Sequence, residues 1–81
     1  MTARTFSYHH LHYFLVVTRE GSITAAARAL GLTQPTVSAQ VAELEADLGV
    51  ALFRRRGGRL SLTAEGRVAR DYAAEIFSPG E

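Results

Sequence analysis

Apolar residues recur at helical spacing in four separate stretches of this chain, and in a fifth, short stretch they alternate instead. Leu11, Phe14, Leu15 and Val17 mark the first helix. Ser7 stands before it as an N-cap, with Phe6 and Leu11 at the two positions of a hydrophobic staple, and Gly21 closes it. The second helix runs from the capping Ser22 to about Leu30. Its Ala25, Ala26, Ala27 and Ala29 favour helix and let a neighbouring helix approach closely. Gly31 follows, a residue able to take a positive φ at a tight turn. Thr33 caps a third helix, about 34–48, with Pro35 in its first turn, where a missing N–H costs nothing. Val37, Val41, Leu44 and Leu48 fall on one core-facing stripe of it, and Gly49 ends it.

Residues 51–62 change period. Ala51, Leu52 and Phe53 lead into three arginines, then Gly57-Gly58, then Arg59, Leu60, Ser61 and Leu62. A Gly-Gly pair between two short segments signals a hairpin, and Leu60 and Leu62 alternate with polar neighbours as a half-buried strand does. Thr63 caps a fourth helix, with Glu65 well placed against its N-terminal dipole and Gly66 weakening its first turn. Val68, Tyr72 and Ile76 form one i, i+4 row on it, and Ala69, Ala73 and Phe77 the adjacent row. Ser78-Pro79-Gly80 stops the pattern, and residues 1–6 show no periodicity.

The order helix, helix, turn, helix, hairpin, helix predicts a mainly α winged helix-turn-helix: a three-helix core, a two-stranded β wing and a C-terminal linker helix. The second helix of the helix-turn-helix motif, helix three of the chain, is of the kind that enters the major groove of DNA. Eighty-one residues suffice for one small domain. With no cysteine, its stability must come from packing alone. No signal peptide is visible, and the longest apolar run, Tyr13 to Val17, falls far short of the roughly 18 residues of a membrane span. Net charge is only +1, but its distribution is uneven. All nine basic residues are arginine, and Arg54, Arg55, Arg56 and Arg59 crowd one hairpin, while Glu43, Glu45 and Asp47 lie elsewhere. A basic ridge on a near-neutral body suits a polyanion approached from one side.

At this point the sequence resembles the N-terminal domain of LysR-type transcriptional regulators. The resemblance rests on Leu11-His-Tyr-Phe14, Gly21-Ser22, Ala26-Ala27, Leu30, Thr33-Gln34-Pro35, Val37-Ser38, Gln40, Leu44-Glu45, Leu48-Gly49, Leu52-Phe53-Arg54-Arg55 and Leu62-Thr63-Ala64-Glu65-Gly66. It covers about residues 7–77. The His-Leu-His-Tyr-Phe start and the Thr-Gln-Pro-Thr stretch look most like the branch containing sodium/proton antiporter regulators. The resemblance implies a DNA-binding domain over 1–63 and the start of a linker and dimerisation helix over 64–81. It also implies a bacterial, cytoplasmic, nucleoid-associated setting, and a homodimer paired through Val68, Tyr72, Ile76 and Phe77 of the trailing helix. Family members usually carry a large C-terminal effector-sensing domain. The expectation is that this domain is absent here and that a small-molecule effector acts only through it.

Helix three is expected to lie in the major groove of double-stranded DNA with its N-terminal half nearest the bases. At about 100° per residue, Pro35, Ala39, Ala42 and Ala46 fall opposite the core stripe, with Thr36 and Glu43 on one flank and Ser38 on the other. The expected DNA-contacting residues are Thr33, Gln34, Pro35, Thr36, Ser38, Ala39 and Gln40, with Arg54, Arg55, Arg56 and Arg59 of the wing on the backbone or an adjacent minor groove. Arg28 is a further phosphate contact only if it is more than a solvated helix residue. Many relatives carry arginine immediately after the serine at position 38 and a basic residue near position 42. Alanine stands at both places here, so a bidentate arginine–guanine contact from them is excluded, and readout is expected from Gln34 and from methyl contacts of Thr36 and Ala39 to thymine.

Two other classes compete. His9, His10 and His12 cluster, and His9 and His12 are three apart on a helix, within reach of one metal ion, but no cysteine or further histidine completes a site. A winged helix that has lost DNA binding and serves protein interaction is compatible with alanine at 39 and 42, and the basic wing argues against it. No spacing pairs a nucleophile with a base, and Gly57-Gly58 is a hairpin turn rather than a nucleotide loop, so an enzyme is not expected and no cofactor is implied.

Overall fold

Three helices, α1 (Tyr8–Glu20), α2 (Ile23–Leu30) and α3 (Gln34–Leu48), precede an antiparallel pair, β1 (Phe53–Arg56) and β2 (Arg59–Leu62), and a last helix, α4 (Ala64–Ile76). The computed structural model describes residues 8–56 and 59–77. The expected Phe6–Ser7 staple and cap, the Gly57-Gly58 turn and the Ser78-Pro79-Gly80 stop lie outside them.

The buried face of α1 consists of the four residues its periodicity marks, Leu11, Phe14, Leu15 and Val17. They divide between two apolar clusters. Leu11, Phe14 and Leu15 pack with Leu44 of α3, Leu52 before the wing and Ala73 of α4. Val17 packs with Ala26 and Ala27 of α2 and Val37 and Val41 of α3. Ala26 has no exposed surface, so the small side chains of α2 do what was expected of them and bring it close to its neighbours. Phe53 touches both clusters and tilts its ring against Phe14 at 5.4 Å between centroids.

Local chemistry sets the element ends. Ser22 Oγ accepts the Ala25 N–H at 3.0 Å. Gly31 takes φ +71°, which lets Leu32 N–H reach back to the Ala27 carbonyl at 2.9 Å and turns the chain into α3. Thr33 then caps α3. The wing is antiparallel, with Phe53 opposite Leu62, Arg54 opposite Ser61, Arg55 opposite Leu60 and Arg56 opposite Arg59.

The base of the wing is a knot of polar contacts. One oxygen of the Glu45 carboxylate, on α3, accepts the N–H groups of Leu52 (2.8 Å) and Phe53 (3.1 Å). Thr63 closes the other side. Its N–H donates to the Leu52 carbonyl at 3.0 Å, and its hydroxyl donates to the Ala51 carbonyl at 2.7 Å and accepts the Gly66 N–H at 2.9 Å. One threonine thus caps α4 and ties it to the strand entry.

Gly66 has a packing role beside its low helix propensity. As a residue that weakens the first turn of α4 it looks like a defect, yet it is buried there. A Cβ at this position would overlap the Leu52 carbonyl oxygen and come within 2.9 Å of Leu62 Cδ2. The absence of a side chain is what lets α4 cross so close to the wing.

In a helix, Gly→Ala ordinarily gains up to about 1 kcal/mol. At Gly66 that gain is outweighed, because forcing atoms into a filled site costs about 1–3 kcal/mol and the obstructing atom is backbone. Gly66→Ala should therefore melt lower than the parent, by on the order of 5–15 °C in thermal unfolding followed by circular dichroism. A variant melting at or above the parent would disprove the close approach.

Candidate nucleic-acid interface

The N-terminal half of α3 carries no acidic residue; Glu43, Glu45 and Asp47 all fall in its second half. Glu45 is turned inward onto the amides of Leu52 and Phe53. The first turn of α3 therefore presents the favourable end of the helix dipole to an anion, and its last turns repel one. Thr33, Gln34, Pro35, Thr36 and Ala39 are exposed, and Ser38 and Gln40 are half-buried. Ala42 and Ala46 are also exposed, so the outward face is as small and apolar as its sequence implies.

Between this part of α3 and the wing lies an open cleft of about 800 Å³. Gln34 and Ser38 line it from α3, and Arg55, Arg56 and Arg59 from the wing. Five of the expected DNA-contacting residues are thereby brought together. Thr33, the cap of α3, and Pro35, Thr36, Ala39 and Gln40 on α3 lie outside the cleft lining, as does Arg54 on the wing. Ser22 and Thr24, at the start of α2, and Ser61 of β2 also line the cleft. These three hydroxyls are not evident from the sequence. Ser22 is visible there only as a cap, and nothing local marks Ser61 as lining a cleft.

The four wing arginines do not form one undivided group. Residues directly opposite in an antiparallel pair share a face, and faces alternate along each strand. Arg55 therefore shares the face of Phe53, Leu60 and Leu62, which pack on the helices, while Arg54 and Arg56 lie on the other. All four are exposed, and among the described residues none of them forms a salt bridge. Their charge is available to a partner.

On α4, Val68 (72% exposed), Tyr72 (57%) and Ile76 (38%) form an uncovered apolar row. Phe77 belongs to the other row. Its ring lies 4.7 Å from that of Tyr8 and 5.1 Å from that of His12, and it packs on the first apolar cluster together with Ala69 and the fully buried Ala73. Of the three clustered histidines, His12 is thus held among aromatic rings, with Tyr13 at 6.0 Å. Among the described residues no group of three or more His, Asp or Glu side chains is placed to hold a metal ion. Among the same residues no helix is long and apolar enough to cross a membrane.

Residues 8–67 match the family described as bacterial regulatory helix-turn-helix protein, lysR family. The chain is 46% identical over 67 residues to the uncharacterized HTH-type transcriptional regulator YusT of Bacillus subtilis, covering 83% of this chain and 23% of that protein. It is 38% identical over 78 residues to the transcriptional activator protein NhaR of Escherichia coli, covering 96% of this chain and 26% of that one. The chain thus spans about a quarter of the length of these curated relatives. Among solved structures, the BenM_DBD/catB site 1 DNA complex superposes with a TM-score of 0.85 at 37% identity, covering 90% of this chain and 82% of that one. The winged helix-turn-helix is the shared architecture, and these relatives are transcriptional regulators, not enzymes. The chain belongs to the LysR family of bacterial regulatory helix-turn-helix proteins, as a DNA-binding domain of that family.

Proposed function

We propose that this domain binds double-stranded DNA sequence-specifically in transcriptional regulation, with the N-terminal half of α3 in the major groove and the wing on the backbone or adjacent minor groove. The observation that carries this reading is the shared cleft: Gln34 and Ser38 of α3 open onto the same space as Arg55, Arg56 and Arg59. A duplex entering there meets base-reading groups and phosphate-binding groups together. The direction of entry follows from charge, since only the first half of α3 is free of carboxylates. Gln34 is suited to a base edge, while Thr36 and Ala39 offer methyl contact to thymine. The hydroxyls of Ser22 and Thr24 line the cleft where α2 would approach the phosphate backbone.

The same reading makes α4, from Ala64, the opening of a linker helix, and the row Val68, Tyr72 and Ile76 the surface that meets a second copy. Phe77 contributes indirectly, by holding the end of α4 against α1. Pairing matters because two linked half-sites multiply affinity when the geometry allows both to engage. The working compartment is the bacterial cytoplasm, at the nucleoid.

The first experiment is selection of duplexes from a random-sequence library at two salt concentrations. A retained motif with steep salt dependence supports the reading, and no retention even at low salt removes it. Replacing Arg54, Arg55, Arg56 and Arg59 together by glutamine should flatten the plot of log K against log salt by roughly 3 to 4, at about 0.9 for each of three or four phosphates no longer neutralised. An unchanged slope would take the wing out of the interface. Ala39→Arg should move the selected site toward guanine at one position per half-site, since arginine pairs bidentately with guanine O6 and N7. An identical selected site would show that position 39 does not face the bases. Val68→Glu should convert a two-half-site selection into a single half-site and lower the sedimenting mass. If both readouts match the parent, the α4 row is not the pairing surface.

A further inference from the structure

Two hydroxyls on the exposed start of α3 are bonded to each other. Thr33 Oγ1 and Thr36 Oγ1 lie 2.8 Å apart, and the same Thr33 oxygen accepts the Thr36 N–H at 3.3 Å. The second contact is the helix cap. The first is extra: capping needs no oxygen on residue 36, and both side chains are exposed, so water would otherwise satisfy them. Its effect is on orientation. A threonine side chain occupies few staggered positions, and its oxygen and methyl are set about 120° apart around the Cα–Cβ bond. With the oxygen turned back to the cap, the methyl is the one heavy atom of the Thr36 side chain left uncommitted.

The neighbouring positions keep that methyl uncovered. One turn along the helix, Ala39 is exposed and ends at Cβ, while Gln40 is half-buried. No long side chain from position 39 overlies residue 36. An outward hydroxyl at position 36 would pair with donors and acceptors alike and discriminate poorly. An outward methyl has one distinctive counterpart in the major groove, the C5 methyl of thymine.

We propose that Thr33 is a positioning residue for base reading: its hydroxyl holds the Thr36 oxygen at the helix cap, so that α3 presents the Thr36 methyl to a thymine methyl. This rests on the placement of α3 in the major groove. Thr33 then has two separable duties, one to the stability of the helix and one to the choice of base.

The test uses duplexes retained by the parent domain, with each thymine replaced in turn by deoxyuridine, which deletes only the C5 methyl. At one position per half-site the replacement should weaken binding about fourfold, the equivalent of one buried methyl group. Thr36→Ser should abolish that difference by weakening binding to the thymine duplex, and Thr36→Val should retain it. Thr33→Ala should bring the thymine-to-uracil ratio toward one, and Thr33→Ser should restore it. A purely structural Thr33 would lower the melting temperature and weaken both duplexes equally, leaving the ratio at fourfold, and that result overturns the proposal. So does a set of retained duplexes with no thymine whose methyl depends on Thr36. Failure to retain any duplex overturns the DNA-binding reading itself, and is seen before any uracil is introduced.

Discussion

One carboxylate decides where the wing stands. Glu45 Oε2 takes the N–H groups of both Leu52 and Phe53, and these are the residues through which the chain leaves the helical core and becomes a strand. Leu52 is fully buried, so its N–H has no water to turn to. A hydrogen bond to an ionised acceptor is about twice as strong as one between neutral groups. Because Glu45 sits on α3, the strand entry is tied to the same helix that carries Gln34 and Ser38. The spacing of wing and helix across the cleft is therefore fixed from α3 itself. Thr63 and Gly66 complete the junction from the far side, one by its hydrogen bonds and the other by lacking a side chain.

Along α3 three functions are separated by angle. Val37, Val41 and Leu44 are buried, Gln34 and Ser38 open onto the cleft, and Pro35, Ala39, Ala42 and Ala46 face outward. A similar division holds on α4, where Ala73 is buried and Val68 is not. Substitutions on the outward rows thus leave the two apolar clusters untouched.

The fold is legible in the sequence because its signals are local. Ser22, Thr33 and Thr63 cap the helices they were expected to cap, and the apolar spacing names the buried residues of α1 and, on α3, Val37, Val41 and Leu44, with the fourth member of that stripe, Leu48, half-buried. What cannot be read there is everything that depends on which segments meet. Glu45 is one acid among three in its stretch, and only the fold brings Leu52 and Phe53 to it. Gly66 looks like a poor helix former until the Leu52 carbonyl is set beside it. Phe77 stands in the sequence only as an apolar residue at the end of α4, and the fold alone brings its ring to Tyr8 and His12. The cleft is half legible: Gln34, Ser38 and the arginines stand out in the sequence, whereas Ser22, Thr24 and Ser61 reach it through packing.

The ladder between β1 and β2 has a consequence for the arginine run. Arg54, Arg55 and Arg56 are chemically identical, and nothing in their own strand distinguishes one from the next. Their positions are assigned from across the hairpin, where Leu60 and Leu62 are anchored among the helices opposite Arg55 and Phe53. A slip of one residue would turn every side chain of the strand to the opposite face and set charge against the apolar clusters. Two leucines thus act as the address system for a run of interchangeable charges: each guanidinium gets a distinct location from residues packed against the helices on the other strand.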